Sequence, residues 1–127
     1  MLRFSAGAFL IMHGLIHAAY LAPKADDPRY PFVAERTWFA TSLDLEAGAA
    51  KAVFATLAMT ALVSFLVAGI GLFVNAGWWQ PLAVAGSFAS LAVLLLGFHP
   101  QLALGVAIDV AIVASVLWAH VPSPLFE

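Results

Sequence analysis

The chain has 127 residues, of which 64% are hydrophobic and 9% are charged, and its formal net charge is −2. A chain with so few Lys and Arg residues has no basic surface, so nucleic acid is not an expected partner. It also lacks cysteine, which excludes disulfides, thiolate metal sites and iron–sulfur clusters. A mean hydropathy of +1.00 indicates instead an integral membrane protein that is embedded in a lipid bilayer.

Four apolar runs are each long enough to cross a hydrocarbon core of about 30 Å. They cover residues 4–22, 47–74, 78–98 and 102–119, and a long loop, residues 23–46, joins the first two. Backbone polar groups in lipid must be satisfied within the segment, and the runs are too uniformly apolar for barrel strands, so we expect helices. The sequence therefore predicts one all-α membrane domain over residues 1–127, a four-helix bundle with one long loop between helices 1 and 2.

The first run contains two histidines, His13 and His17, which lie four residues apart and therefore on one face of a helix. Tyr20 and Lys24 continue this polar stripe toward the loop. A secretory signal peptide is the alternative interpretation, since Arg3 supplies a basic start, but histidines would interrupt its apolar region. We therefore expect the first run to be a membrane span that carries ionisable groups.

The loop is predicted to contain a short interfacial helix within residues 34–45. Thr41, followed three residues later by Asp44, fits the start signal of the second span. Four of the five basic residues lie on the loop side of the bundle, namely Lys24, Arg29, Arg36 and Lys51. By the positive-inside rule, the long loop is expected to be cytoplasmic, with both termini on the other side.

The last run contains one ionisable residue, Asp109. At a rise of about 1.5 Å per residue, His13 and Asp109 both lie roughly 12 to 14 Å from the loop side. His17 lies one turn closer to the loop, and His99 lies on the same side, in the short connection before the last run. Ionisable groups at membrane depth cost about 2.5 to 3.5 kcal/mol each on insertion scales, so they usually face a partner or serve a function.

These residue types allow several kinds of site. Imidazole and carboxylate groups are ligands of zinc, iron and copper, which makes His13, His17, Asp109 and His99 candidate metal-binding or ligand-binding residues. The same groups could bind a small apolar ligand, such as a quinone or a lipid, or handle protons. Tyr20 could support the site. Lys51 could either pair with Asp109 or extend to the membrane surface.

Haem is not expected, because two histidines on one face of one helix cannot clamp both sides of a porphyrin. A second axial ligand could come only from His99 or from His120, and His120 follows the last run on the opposite side of the membrane.

Several short motifs carry a resemblance to known proteins. They are Met-His-Gly-Leu-Ile-His in the first run, Trp-Trp at the start of the third, Phe-His-Pro before the fourth, and Gly-x-x-x-Asp within it. Together they resemble a group of small uncharacterised four-span bacterial membrane proteins, and the Gly-rich first run is similar, more distantly, to DoxX-like four-span proteins. The resemblance covers most of the chain, and it implies the architecture and a bacterial inner membrane but no activity.

Two classes of function remain open from the sequence. In the first, the bundle holds a metal, a small ligand or a proton at His13, His17 and Asp109, and in an enzyme a histidine would act as acid or base with Asp109 orienting it. In the second, the chain is an accessory subunit of a larger membrane complex or a homo-oligomer, and the cluster only fixes helix packing.

Overall fold

The computed structural model describes residues 1–22 and 26–118. Within them the α-helices are α1 (Leu2–Ile16), α2 (Trp38–Ser42), α3 (Ala47–Phe73), α4 (Trp79–Leu96) and α5 (Ala103–Leu117). Short 3-10 helices accompany them: His17–Tyr20 continues α1, Ala34–Arg36 precedes α2, and Pro100–Leu102 leads into α5.

The prediction of an all-α four-helix bundle is confirmed. Each of the four apolar runs forms a helix that is long and apolar enough to cross a membrane, and these helices are Leu2–Tyr20, Ala47–Phe73, Trp79–Leu96 and Pro100–Leu117. The predicted bounds differ from these by one or two residues in most cases, as expected where helix ends fray. Ala119, the predicted end of the last run, lies outside the described residues.

The spans pack in chain order, α1 on α3, α3 on α4 and α4 on α5. Glycines bring α1 and α3 into backbone contact: a Cβ atom on Gly69 would lie 2.6 Å from the carbonyl oxygen of Gly7. Two turns further along the same face of α1, a Cβ atom on Gly14 would lie 2.8 Å from the Cβ atom of Phe65. Small residues permit such close helix contacts in membranes, where apolar surface alone gives no net attraction between helices.

The helix α5 is placed differently, because Asp109 is its one buried residue. Some large apolar side chains of α5 point outward, for example Leu104, which is 72% exposed, and Val110, which is 53% exposed, and lipid covers them in a bilayer. Val106, Ile112 and Val116 are partly buried against the core. The helix is thus only partly covered by the rest of the bundle, and Asp109 makes its polar interior contacts.

The predicted short helix in the loop is confirmed by α2. Its N-cap is Thr37, whose hydroxyl oxygen accepts a hydrogen bond from the amide of Ala40 at 3.3 Å. The predicted start signal of the second span was wrong: Glu46 precedes α3 and makes no side-chain cap bond. Asp44 instead lies in the turn between α2 and α3, with a left-handed backbone (φ 49°) that aspartate tolerates better than most residues.

Candidate functional site

Four polar side chains from three helices meet in the interior of the bundle. His13 Nε2 donates a hydrogen bond to Asp109 Oδ1 at 2.8 Å, which joins α1 to α5. Ser90, on α4, is hydrogen-bonded to Asp109 Oδ2, and its hydroxyl oxygen lies 2.7 Å from His17 Nε2. We call these four residues, His13, His17, Ser90 and Asp109, the polar network.

The polar network is shielded from solvent. Asp109 and Ser90 are completely buried, and the two histidines are nearly so. The ring of Phe65 packs edge-on against His13, with 4.9 Å between the ring centroids. In such surroundings an unpaired charge is costly, whereas hydrogen bonds to ionised groups are strong. Adding a proton to the polar network, or removing one, therefore changes its free energy strongly.

The local winding of the chain explains how His17 joins the polar network. Because the helix tightens to a 3-10 form here, the His17 amide donates to the carbonyl of Gly14, three residues back. The His13 carbonyl, four residues back, accepts instead from Nδ1 of the His17 ring, at 3.2 Å. The ring is thereby held in the orientation that directs Nε2 toward Ser90.

The polar network has two arrangements in which every contact contains one proton. In the first, Asp109 is a carboxylate that accepts from Ser90, and His17 is an imidazolium that donates to Ser90 through Nε2. In the second, Asp109 is a carboxylic acid that donates to Ser90, and Ser90 donates to Nε2 of a neutral His17. Because the His13 carbonyl can only accept, His17 Nδ1 is protonated in both. The two arrangements contain the same number of protons and differ by a shift through the Ser90 hydroxyl.

The structure brings together three of the candidate residues, His13, His17 and Asp109. His99 is not part of the polar network. It caps the 3-10 helix before α5, where its Nδ1 accepts a hydrogen bond from the Gln101 amide at 3.2 Å. The reason is local, since the following proline holds His99 in an extended conformation (φ −139°, ψ 143°) at the surface end of the bundle.

Lys51 is also outside the polar network. Its ammonium group lies 3.2 Å from Oε1 of Glu35, and its side chain is 57% exposed. The alternative in which Lys51 pairs with Asp109 is therefore corrected, because His13 is the partner of Asp109. Lys24 and His120, which also entered the sequence-based hypotheses, lie outside the described residues.

The described residues contain no group of three or more His, Asp or Glu side chains placed to hold a metal ion. The hydrogen bonds give the reason. His13 Nε2 is directed at Asp109 itself, and both ring nitrogens of His17 are directed at other protein groups. The lone pairs of these residues therefore do not converge on a common point, as the ligands of zinc, iron or copper must.

Two cavities lie between α1 and α5, on either side of the hydrogen bond from His13 to Asp109. The loop-side cavity has a volume of about 180 Å³, and its wall includes His13, His17, Tyr20, Phe32, Gln101 and Gly105. The second, which we call the termini-side cavity, has a volume of about 270 Å³, and apolar residues such as Ala6, Phe9, Leu10 and Ile112 line it. Of the polar network, His13 and His17 line a cavity of this pair, and that is the loop-side cavity.

Sequence reasoning missed Ser90 as a member of the site. Ser90 belongs to a group of small residues on α4 whose usual meaning is close helix packing. Ser87, three residues earlier, is equally buried but its hydroxyl has no hydrogen-bond partner among the described residues. The sequence alone gives no signal that separates these two serines, because the difference depends on which of them faces α5.

Comparison of the chain with protein-family models, with curated proteins and with solved structures gives no match. The resemblance to small four-span bacterial membrane proteins therefore stays a prediction.

Proposed function

We propose that this chain is an integral membrane protein that takes up and releases a proton at the polar network. The observation that carries the proposal is the bridge from Asp109 through Ser90 to His17, because it lacks one proton when Asp109 is a carboxylate and His17 is neutral, and one added proton completes either hydrogen-bonding arrangement. A cluster that served packing alone would need one such arrangement, and an amide in place of Asp109 would provide it.

His13 is the residue through which protons enter and leave. Its Nε2 is bonded to Asp109, its Nδ1 makes no hydrogen bond to the described residues, and the residue lines the loop-side cavity. A proton that binds to Nδ1 converts the ring to an imidazolium. The imidazolium then transfers its Nε2 proton to the Asp109 carboxylate, which leaves a neutral imidazole and a carboxylic acid. The state that takes up this proton has one proton fewer than either complete arrangement, with Asp109 a carboxylate and His17 neutral.

Infrared difference spectroscopy on the purified protein tests this proposal, because a protonated carboxyl group has a C=O stretching band that a carboxylate lacks. We expect a lower pH to increase a C=O band that is missing from the difference spectra of Asp109→Asn, which keeps the other six acidic residues. The variant should keep its fold, since the amide oxygen can accept from His13 and the amide N–H can donate to Ser90. Identical difference spectra of the folded wild type and Asp109→Asn would contradict the proposal.

A purely structural role is the competing function, and the sparse interior contacts of α5 favour it. The same spectra separate the two functions. Both predict a folded Asp109→Asn variant, but only proton exchange predicts that Asp109 changes its protonation state in the folded wild-type protein.

For the location, we propose the bacterial inner membrane with the long loop in the cytoplasm, because the loop side holds most of the basic residues. The absence of cysteine makes this simple to test. Ser42→Cys in the loop should be labelled by an impermeant maleimide in inverted vesicles. Gly77→Cys, in the turn between α3 and α4, should be labelled in intact spheroplasts. The opposite pattern would reverse the orientation.

A further inference from the structure

The loop-side cavity has the dimensions of a binding site for one small molecule. Its volume is about 180 Å³, and an apolar cavity of about 150 Å³ is large enough to hold benzene. Much of its wall is apolar, and it includes the ring of Phe32 and the side chains of Leu94 and Ile108. A molecule with one aromatic ring therefore matches both its size and its chemistry.

Tyr20 is one of the residues of this wall, and its hydroxyl is a fully buried, unsatisfied hydrogen-bonding group. The residue is 6% exposed, and its ring packs against Phe32 and Phe54, with ring centroids 4.9 Å and 5.7 Å away. Its buried hydroxyl has no hydrogen-bond partner in the described part of the chain. Buried hydroxyls nearly always have a partner, because leaving one unpaired is destabilising. The packed ring leaves the hydroxyl little freedom to find one elsewhere.

His13 contributes the complementary group. While Nε2–H donates to Asp109 in the neutral ring, Nδ1 has a lone pair and can accept a hydrogen bond. Two residues of the same cavity wall thus carry complementary groups, since the Tyr20 hydroxyl can donate and His13 Nδ1 can accept. A hydroxyl group on a ligand satisfies both, because its oxygen accepts and its proton donates.

We propose that the loop-side cavity binds a lipophilic phenol, with its ring between the apolar side chains and its hydroxyl group between Tyr20 and His13. This inference rests on the proposed function, because the phenol is the molecule with which His13 exchanges its proton. The exchange is balanced: the phenol O–H proton moves to His13 Nδ1, the phenolate oxygen keeps the Tyr20 hydrogen bond, and the reverse transfer restores the phenol.

Fluorine NMR titrations on the purified protein in nanodiscs test the inference with three probes of similar size. 4-Fluorophenol can donate and accept a hydrogen bond, 4-fluoroanisole can only accept, and fluorobenzene can do neither. We expect 4-fluorophenol to bind tightest to the wild type. Tyr20→Phe should weaken its binding about fivefold, which corresponds to one lost hydrogen bond, and should leave the binding of fluorobenzene unchanged.

Two further variants control for unspecific partitioning into the bilayer. Gly105→Leu should abolish binding of all three probes, because the new side chain occupies the loop-side cavity. It displaces only the flexible end of Leu94, which a Cβ atom would approach to 3.0 Å. Ala111→Leu, in the termini-side cavity, should leave the binding of 4-fluorophenol unchanged. Equal binding of the three probes to wild type and Gly105→Leu would overturn the inference.

The Tyr20→Phe variant also excludes water as the missing partner. If the hydroxyl has no partner without ligand, its removal should leave the unfolding temperature unchanged or raise it. A lower unfolding temperature together with unchanged 4-fluorophenol binding would overturn the inference. The infrared titration of Asp109 is independent of these probes, so the failure of phenol binding and the failure of proton exchange are distinguishable.

Discussion

The helix α1 contacts α3 and α5 in opposite ways. Against α3, it is joined through glycines, with backbone atoms so close that a single added methyl group does not fit. Against α5, it is joined through the hydrogen bond from His13 to Asp109, with a cavity on each side of that bond. One interface is held by shape and the other by one polar contact.

The difference shows how a small membrane bundle can combine one rigid helix interface with open space beside its buried polar side chains. Close packing on α3 fixes the depth and rotation of α1, and so it fixes the two histidine rings on that helix. The looser interface with α5 leaves space beside those rings, which a close-packed interface would fill. Substitutions at the interface of α1 with α3 and at its interface with α5 should therefore have effects that differ in kind as well as in size.

The largest expected effect comes from removing the polar contact. Asp109→Leu should lower the free energy of unfolding by about 3 kcal/mol, because His13 and Ser90 lose a buried partner. Asp109→Asn keeps both hydrogen bonds and should stay within about 1 kcal/mol of the wild type. Reversible unfolding in mixed detergent micelles, followed by circular dichroism, measures both. Equal stability of the two variants would show that shape alone holds α5 in place.

A smaller loss is expected when the glycine interface is disrupted. Gly69→Ala should lower the free energy of unfolding by about 2 kcal/mol, because its methyl group would collide with the Gly7 carbonyl oxygen, which cannot easily move. Gly48→Ala is the matched control, because a Cβ atom there meets nothing within 4 Å. It should raise stability by up to about 1 kcal/mol through its higher helix propensity. Similar losses in both variants would rule out a close-packed interface.

Ser90→Ala tests what the serine contributes within the polar network. The variant should lose about 1 kcal/mol of unfolding free energy, because Asp109 keeps His13 as a partner. Its main effect should be on protonation: nitrogen NMR of the His17 ring should no longer follow the titration of Asp109. A His17 titration curve identical to that of the wild type would show that Ser90 does not connect the two groups.

The smallest effect is expected in the loop, at the ion pair of Lys51 and Glu35. Burial acts to raise the pKa of Glu35, but hydrogen bonds from its own backbone amide and from Lys51 outweigh burial and lower that pKa. A carboxyl group with a lowered pKa stabilises the fold above its unfolded pKa, and this stabilisation is lost as the pH falls through the folded pKa.

We expect Lys51→Ala to cost about 0.5 kcal/mol at neutral pH, and the difference from wild type should vanish in acid and shrink in high salt. Unfolding in detergent at several pH values measures this. A difference that persists in acid would mean that Lys51 acts through packing and not through Glu35.

Much of the fold followed from the sequence because lipid imposes simple rules. Hydropathy and length set the four spans, and the rise per residue placed His13 and Asp109 at matching depth, where the structure joins them. Depth follows from counting residues, so it could be predicted. The rotation of each helix could not be predicted, because Asp109 and Ser115 are the two polar residues of α5 and do not form a polar face. Without that rotation, the sequence could not single out Ser90.

The contacts of Lys51 and His99 could not be predicted for a different reason. Lys51 and His99 lie near the ends of spans, where side chains can turn either inward or toward the surface. Lys51 turns to Glu35, a residue of the loop whose position depends on the short helices that precede α3. Such contacts between a loop and a helix end are not encoded in hydropathy or in helical spacing.

The single buried residue of α5 also bears on how the chain enters the membrane. An isolated α5 would bring an aspartate to the bilayer interior without His13, which costs about 2.5 to 3.5 kcal/mol on insertion scales. The connection after α4 is short, so α4 and α5 can insert as a hairpin in which Ser90 already bonds to Asp109. The bundle would then insert as helical hairpins. The polar network would be completed when α1, which carries His13, packs against the hairpin of α4 and α5.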